Sequence, residues 1–545
     1  MSRSPSTPRW GMVVDINRCV GCQTCTIACK HANDTPPGVQ WRRVLDVENG
    51  TFPNVQREFL VVGCQHCANP PCVPVCPSGA TRQRTDGLVT MNYDTCIGCG
   101  YCAVACPYQA RTIVHDQSWY FGVETPQERA VAHDDRLGVA QKCTFCIERV
   151  DEGVTLGRMP GADLDYTPAC AASCVAEAIR FGDFNDPQSN VSRLVAEHPS
   201  FQMHAELGTD PQVRYLYEIP AAPGREPAPE DTGDEVMSDP ANPLVGQRQT
   251  LWDSRAAMNF TLGGMGSGLA ALAATAHFFS GLSEPALLGL FAAAGTLMAI
   301  GLFFVFLEIG RKRRFLNVLL RPQSSWMTRE TYFVAVFFPA VVADWIQPQP
   351  WLHGLIGVVA LGFLICQARI LYAGKGIPAW RAPLVPWLLT ATGLLEGIGL
   401  FALAHALFPV SISFAPGFVT TGALLALVTG TLWIAYRWSA RANGIPPLAR
   451  RTINRAAPAI TLVGHAIPLA GFVVLSKLAP GSASYTGVLA AAGAGAVFGG
   501  ILCKFMLITR ACYQQGFSLP KLPQRGSGTR AAPPRSGFAQ SVPHA

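Results

Sequence analysis

Cys96-Ile-Gly-Cys99-Gly-Tyr-Cys102-Ala-Val-Ala-Cys106-Pro107 is the stretch on which the reading of this chain turns. Its spacing is C-x2-C-x2-C-x3-C-P, in which three thiolates two residues apart wrap one iron–sulfur cube and the fourth points toward another. One such run implies partner runs, and three more surround it. Cys19, Cys22, Cys25 and Cys29 repeat the pattern upstream, after the strand-like Gly11–Asp15. Cys64, Cys67, Cys72 and Cys76 follow the β-type segment Phe59–Val62 and again end on a proline, Pro77. Cys143 and Cys146 are separated from Cys170 and Cys174 by a 23-residue insertion. Four groups of four use every cysteine of this half; of the 19 in the chain, only Cys366, Cys503 and Cys512 lie elsewhere.

Zinc ribbons and disulfides are the competing readings. Structural zinc takes two C-x2-C pairs and closes them as a tetrahedron, which does not call for this run twice over. Disulfides between cysteines two residues apart are geometrically poor. Met1–Trp10 holds no apolar stretch and no twin-arginine pair, so no export signal is read. The thiols are then expected to mature in a reducing compartment, where metal ligation is the better default.

At 545 residues the chain exceeds one ordinary domain, and its composition splits it. Eight apolar segments follow the cysteine-rich half, near 259–281, 285–308, 331–347, 351–373, 384–408, 417–438, 457–477 and 486–509. Each is close to the ~20 residues that cross a bilayer as a helix, the third being shortest. Alternate loops with the C-terminal tail carry 19 lysines and arginines, whereas the opposite loops carry only Lys477. By the positive-inside rule the basic side is cytoplasmic. Eight spans return both termini and the cysteine half to that side, giving a multi-pass protein of the inner (cytoplasmic) membrane. The net charge of +6 sits mainly in these loops and points to membrane topology, not to nucleic acid.

The half from about Trp10 to Phe184 resembles the four-cluster iron–sulfur subunits of the dimethyl sulfoxide reductase superfamily of molybdopterin complexes. Cys64-Gln-His-Cys-Ala-Asn-Pro-Pro-Cys72, Cys76-Pro-Ser-Gly-Ala80, Ala105-Cys-Pro-Tyr108 and Lys142-Cys-Thr-Phe-Cys146 carry the likeness. The resemblance implies four [4Fe–4S] clusters held by crossover. Cys19, Cys22 and Cys25 would share one with Cys174; Cys143, Cys146 and Cys170 one with Cys29. Cys64, Cys67 and Cys72 would pair with Cys106, and Cys96, Cys99 and Cys102 with Cys76. The Cys96 run is then expected as an inner member of a four-cluster wire.

The membrane half resembles the integral anchor of the same complexes, through Ser325-Trp-Met-Thr-Arg-Glu330, Gln367-Ala-Arg-Ile-Leu-Tyr372 and Gly376-Ile-Pro-Ala-Trp380. The resemblance implies electron exchange with a diffusible quinone, menaquinone or ubiquinone. Glu308, Arg311, Ser325 and Glu330, at the cytoplasmic ends of segments 2 and 3, are the candidate quinone residues, because a quinone needs a proton donor in an apolar pocket. Asp344 and Glu396 are further intramembrane carboxylates. His277, His353, His405 and His465 raise the question of haem, but anchors with this wording usually lack it, and none is expected.

The expected fold is an α+β ferredoxin-like iron–sulfur domain of two bicluster modules, followed by an all-α eight-helix transmembrane bundle. The expected boundaries are a disordered N-terminus over 1–9, the cluster domain over 10–200, a linker over 201–255, the anchor over 256–512 and a cytoplasmic tail over 513–545. No catalytic residue is assigned, since no molybdopterin-sized domain is present and substrate conversion belongs to a separate subunit. The expected role is electron transfer between that cytoplasmic subunit and quinone, with a sulfite- or phenylacetyl-CoA-type substrate oxidised. A quinol-oxidising reductase of dimethyl sulfoxide reductase type is the runner-up. The rival of another class is a membrane transporter with a metal-sensing domain, which the scarcity of polar residues in the apolar segments disfavours.

Overall fold

A computed structural model of the chain describes residues 7–51, 54–218, 237–408 and 416–519. The cysteine half is α+β. Its strands are β1 (Trp10–Asp15), β2 (Arg42–Thr51), β3 (Asn54–Gly63), β4 (Thr81–Gln83), β5 (Val89–Met91), β6 (Thr112–Ile113), β7 (Ala140–Gln141), β8 (Ile179–Asp183), β9 (Ser200–Phe201) and β10 (Val213–Leu216). Trp10, Met12, Val13 and Val14 are all buried, the pattern of a strand covered on both faces. β1 accordingly sits inside a four-stranded sheet of order β8-β1-β10-β9, antiparallel to β8 and parallel to β10 with Met12 opposite Val213. The remaining strands form three two-stranded antiparallel sheets, β2–β3, β4–β5 and β6–β7, and the cysteine loops are strung between them.

The helical half contains eight long helices among the described residues: α1 (Ser254–Ser280), α2 (Glu284–Glu308), α3 (Trp326–Ile346), α4 (Pro350–Ala373), α5 (Val385–Leu407), α6 (Pro416–Trp438), α7 (Pro447–Leu475) and α8 (Ala483–Arg510). Seven are long and apolar enough to cross a membrane. The one left out is α3, 21 residues with Arg329, Glu330 and Asp344 along it. Proline opens α4, α6 and α7, where its missing N–H costs nothing. Inside α7 a π turn, Leu462–Ala466, lies between Pro458 and Pro468, each of which removes a ladder donor.

Four expected boundaries shift. The cluster domain does not stop at residue 200, because β10 is the parallel partner of β1 and carries the sheet to Leu216. Of the expected linker over 201–255, residues 219–236 lie outside the described residues. Its far end is built into the protein: Gln249 N–H donates to Cys512 O (3.0 Å) and Phe517 N–H to Leu244 O (2.8 Å). The same pairing removes Tyr513–Phe517 from the expected tail, of which 520–545 is not described. At the other terminus, residues 1–6 are not described, while Arg9 is fixed through its N–H to Asp183 Oδ1 (2.6 Å) and its guanidinium to Asp210 (2.6 Å).

The two halves are clamped together. Arg311 N–H donates to Ile97 O (3.0 Å), Gly376 N–H to Val104 O (3.0 Å) and Tyr101 Oη to Ile370 O (2.9 Å). Gly98 and Gly138, both left-handed (φ 73° and 62°), meet Gly310 across the junction. A Cβ on Gly310 would stand 2.2 Å from Gly138 O, so the approach of the two backbones requires glycine there. These contacts put the arginine-rich loops and the cysteine domain at the same end of the bundle.

Candidate metal centres and an adjoining cavity

The Cys96 run is shaped by its glycines. Gly98 and Gly100 take left-handed turns (φ 73° each), coiling the loop before one helical turn, Tyr101–Val104, carries Cys102. Gly21 does the same in the first run (φ 69°). The sixteen cysteines are drawn together across the runs. Cys19, Cys22, Cys25 and Cys174 form one group, Cys29, Cys143, Cys146 and Cys170 a second. Cys64, Cys67, Cys72 and Cys106 form a third, Cys76, Cys96, Cys99 and Cys102 a fourth. Burial and the neighbouring thiols push Cys102 and Cys106 up to about 12, and burial pushes Cys143 and Cys170 up to about 11.

The groups stand in a row. Cys25 neighbours Cys170, Cys143 neighbours Cys64, and Cys72 neighbours Cys102. One end of the row opens to solvent at Cys22. The other ends at the membrane half, so the Cys96 run is the terminal member there, not an inner one.

The surroundings fit anionic thiolate clusters. Arg42 and Arg111 are buried cations, and Arg42 Nε and Nη1 and Arg111 Nη2 have no hydrogen-bond partner among the described residues. Burial alone would lower the Arg42 pKa, but the Cys170, Cys143 and Cys29 thiols more than offset it; Cys72, Cys102, Cys64 and Cys106 do the same for Arg111. Backbone N–H groups of Phe145, Ala169 and Thr81 point at Cys143, Cys146 and Cys76 sulfurs (3.4, 3.5 and 3.5 Å). Such bonds favour the ionised, cluster-bearing form. Among the described residues no three His, Cys, Asp or Glu side chains converge closely enough for one metal ion. Neither arginine belongs to a cysteine motif, and only its burial among thiols singles it out.

Cys99 also lines a small, narrow cavity with Trp252, Asn259, Glu308, Glu330 and Ile370. Trp252 Nε1 donates to the Cys99 carbonyl (2.9 Å), and its ring stacks on Trp380 at 5.6 Å. Three oxygens in this wall have no hydrogen-bond partner among the described residues: Glu308 Oε1, Glu330 Oε1 and Asn259 Oδ1. Behind them Gln367 Nε2 donates to Asn259 O (3.1 Å). Of the four candidate quinone residues, Glu308 and Glu330 meet in this cavity. Arg311 and Ser325 do not reach it. Arg311 Nε donates to Leu137 O (2.7 Å) and Ser325 Oγ to Val75 O (3.0 Å), holding the cysteine domain in place. Asn259 and Trp252 carry no motif signal.

At the opposite end of the bundle, Asp344 Oδ1 lies 3.1 Å from His353 Nε2, and the His353 and His277 rings meet edge to face at 4.7 Å. Glu396 pairs with Lys504 inside the bundle.

A family model described as a 4Fe-4S dicluster domain matches residues 55–120. Among curated proteins, the chain is 39% identical over 224 residues to a selenate reductase subunit of Mesobacillus selenatarsenatis, covering 38% of this chain and 72% of that one. A sulfite dehydrogenase subunit of Allochromatium vinosum is 38% identical over 221 residues (38% and 81%). The menaquinone reductase iron–sulfur cluster-binding subunit of Nitratidesulfovibrio vulgaris is 38% identical over 226 residues (38% and 88%).

Proposed function

The chain belongs to the iron–sulfur subunits of molybdopterin oxidoreductase complexes of the dimethyl sulfoxide reductase superfamily, and from that membership we propose that it links a separate catalytic subunit to the membrane quinone pool. The sixteen cysteines hold four [4Fe–4S] clusters, which supply one-electron relay when bound. Arg42 and Arg111 offset the negative charge that the thiolates gather. The helical half is the anchor, with its arginine-rich loops and the cysteine domain on the cytoplasmic side.

The observation that carries this reading is that Cys99 shares one cavity with two carboxyls, the half-buried Glu308 and the buried Glu330. A quinone converts to quinol by taking up two electrons and two protons. The Cys99 wall supplies the place of electron transfer, and Glu330 and Glu308 hold the protons at their free oxygens. Asn259 Oδ1 accepts a hydrogen bond from the hydroxyl that forms. The apolar remainder of the wall, Trp252 and Ile370, keeps water from the ring. On the cytoplasmic side the complex oxidises an intracellular substrate of the sulfite or acyl-CoA class and reduces quinone.

Glu330→Gln keeps the shape of the wall and removes its proton carrier. Quinone-coupled turnover of the membrane-bound complex is expected to fall about 100-fold, the usual contribution of a positioned acid or base. The cluster EPR spectrum should stay unchanged. Wild-type turnover in the variant would take Glu330 out of the site.

The catalytic partner docks at the other end of the row. Around exposed Cys22, the side chains of Val20, Ile27 and Val175 are 61%, 64% and 72% exposed, an apolar rim beside the outermost group. Val175→Glu is expected to reduce, by at least about tenfold, the amount of catalytic subunit that co-purifies, as for a central contact residue. Reduction of the clusters from quinol should persist. Undiminished co-purification would move the docking face elsewhere.

A further inference from the structure

A second, larger recess lies on the outside of the bundle, between α7 and α8, at the end that carries the cysteine domain. It is an open groove of about 940 Å3. Ala456, Ala459 and Ile460 of α7 and Ile501, Leu502 and Phe505 of α8 make its walls apolar. The alanines leave the space; a π turn in α8, Met506–Arg510, shapes the upper wall. Below the groove the apolar surface continues along α8, where Leu502 and Phe498, one turn apart, are 43% and 60% exposed. Such a wall is made for acyl chains.

The rim has the opposite character. Arg248, Arg455 and Arg510 reach it from three separate segments, and Tyr513 adds a phenol. All three arginines are exposed, and no acidic side chain lines the groove among the described residues. Guanidinium forks match phosphate oxygens, and basic pockets between membrane helices on the cytoplasmic side suit anionic headgroups. The basic tail (Lys521, Arg525, Arg530, Arg535) bears the same charge as the rim, so charge complementarity does not favour it as the occupant.

We propose that this groove binds one anionic phospholipid, its phosphate held by Arg248, Arg455 and Arg510 and its chains laid along α7 and α8. The bound lipid joins the end of α8 and the Arg248 segment, which pair with each other through Arg248 and Tyr513. It thus fastens the strap that connects the cysteine domain to the bundle.

The test uses the full chain within its complex, purified, stripped of lipid and mixed with vesicles of phosphatidylglycerol or of phosphatidylcholine. Native mass spectrometry then counts retained lipid. The wild type is expected to keep phosphatidylglycerol and not phosphatidylcholine, and excess inorganic phosphate should not displace it. The variant R248Q/R455Q/R510Q should lose at least about tenfold in retention, since the basic contacts that hold the headgroup are gone. Ala459→Trp, which fills the groove and leaves the charges, should lose it too. Iron content should be unchanged in both.

Equal retention in the triple variant, or equal retention of phosphatidylcholine, would overturn the proposal. Displacement by phosphate alone would reduce the site to a soluble-anion site. Lipid binding that emerges only when Glu226, Glu230, Asp231, Asp234 and Glu235 are neutralised would give the groove to that acidic segment instead.

Discussion

Cys99→Ala is expected to abolish quinone reduction while leaving most of the electron path intact. Cys99 belongs to the group at the membrane end of the row, and it is the cysteine that lines the cavity. The other three groups share no ligand with it. The variant should therefore lose about four irons of about sixteen, one cubane's worth. The remaining clusters should still take up electrons from the catalytic side, because the Cys19 group at the exposed end is untouched. The Cys64 group meets the Cys76 group through Cys72 and Cys102, and among the described residues the latter group alone touches the cavity. Single-turnover experiments should show cluster reduction without quinol. Folding is supported independently by the Gly98–Gly138–Gly310 contact and by Trp252, so the loop keeps its anchorage. Quinone turnover near the wild-type rate, with iron lost, would refute the cavity as the site of electron exchange.

What could be read from the chain follows from how local the signal is. Cysteine ligands two residues apart declare themselves, because one cluster imposes that spacing on a short loop. The eight apolar segments are equally legible: each forms a long helix, and seven of these are long and apolar enough to cross a membrane. The order of the groups is not local. Nothing in Cys96–Pro107 says that it faces the bundle; that follows from Ile97 and Gly98 meeting Gly310 and Arg311 in a distant loop. Arg311 and Ser325 illustrate the same limit. Their position at the helix ends is legible, but their partners, Leu137 and Val75, lie in the other half, and those partners make them clamps instead of cavity residues. The boundary at residue 200 fails for a related reason. β10 is four residues long with Arg214 inside it, and its place is decided by β1 at the start of the chain. Asn259 and Trp252 lie at and just before the start of an apolar helix, where a polar or aromatic residue is unexceptional until the cavity is seen.

Lys504→Met is expected to destabilise the bundle by about 3–5 kcal/mol, the loss seen when one partner of a buried ion pair is removed. Lys504 Nζ lies 2.5 Å from Glu396 Oε2, and the two side chains are only 2% and 0% exposed. The bundle is built around them. A Cβ on Gly500 would stand 2.1 Å from Glu396 Oε1, and one on Gly264 would stand 2.3 Å from Lys504 Nζ. Without the lysine, Glu396 keeps both oxygens in an apolar interior with no cation to face, since Oε1 already lacks a hydrogen-bond partner. Replacing both partners, as K504M/E396L, removes that burden. The double variant should recover most of the loss, because apolar groups of similar volume replace a pair whose attraction is largely consumed by desolvation. Unfolding of the purified complex in increasing denaturant, followed by far-UV circular dichroism, reads the difference directly. The single variant should unfold at distinctly lower denaturant than wild type and the double variant close to it. A double variant no more stable than the single one would mean that the lysine acts through its packing against Gly264 and not through its charge.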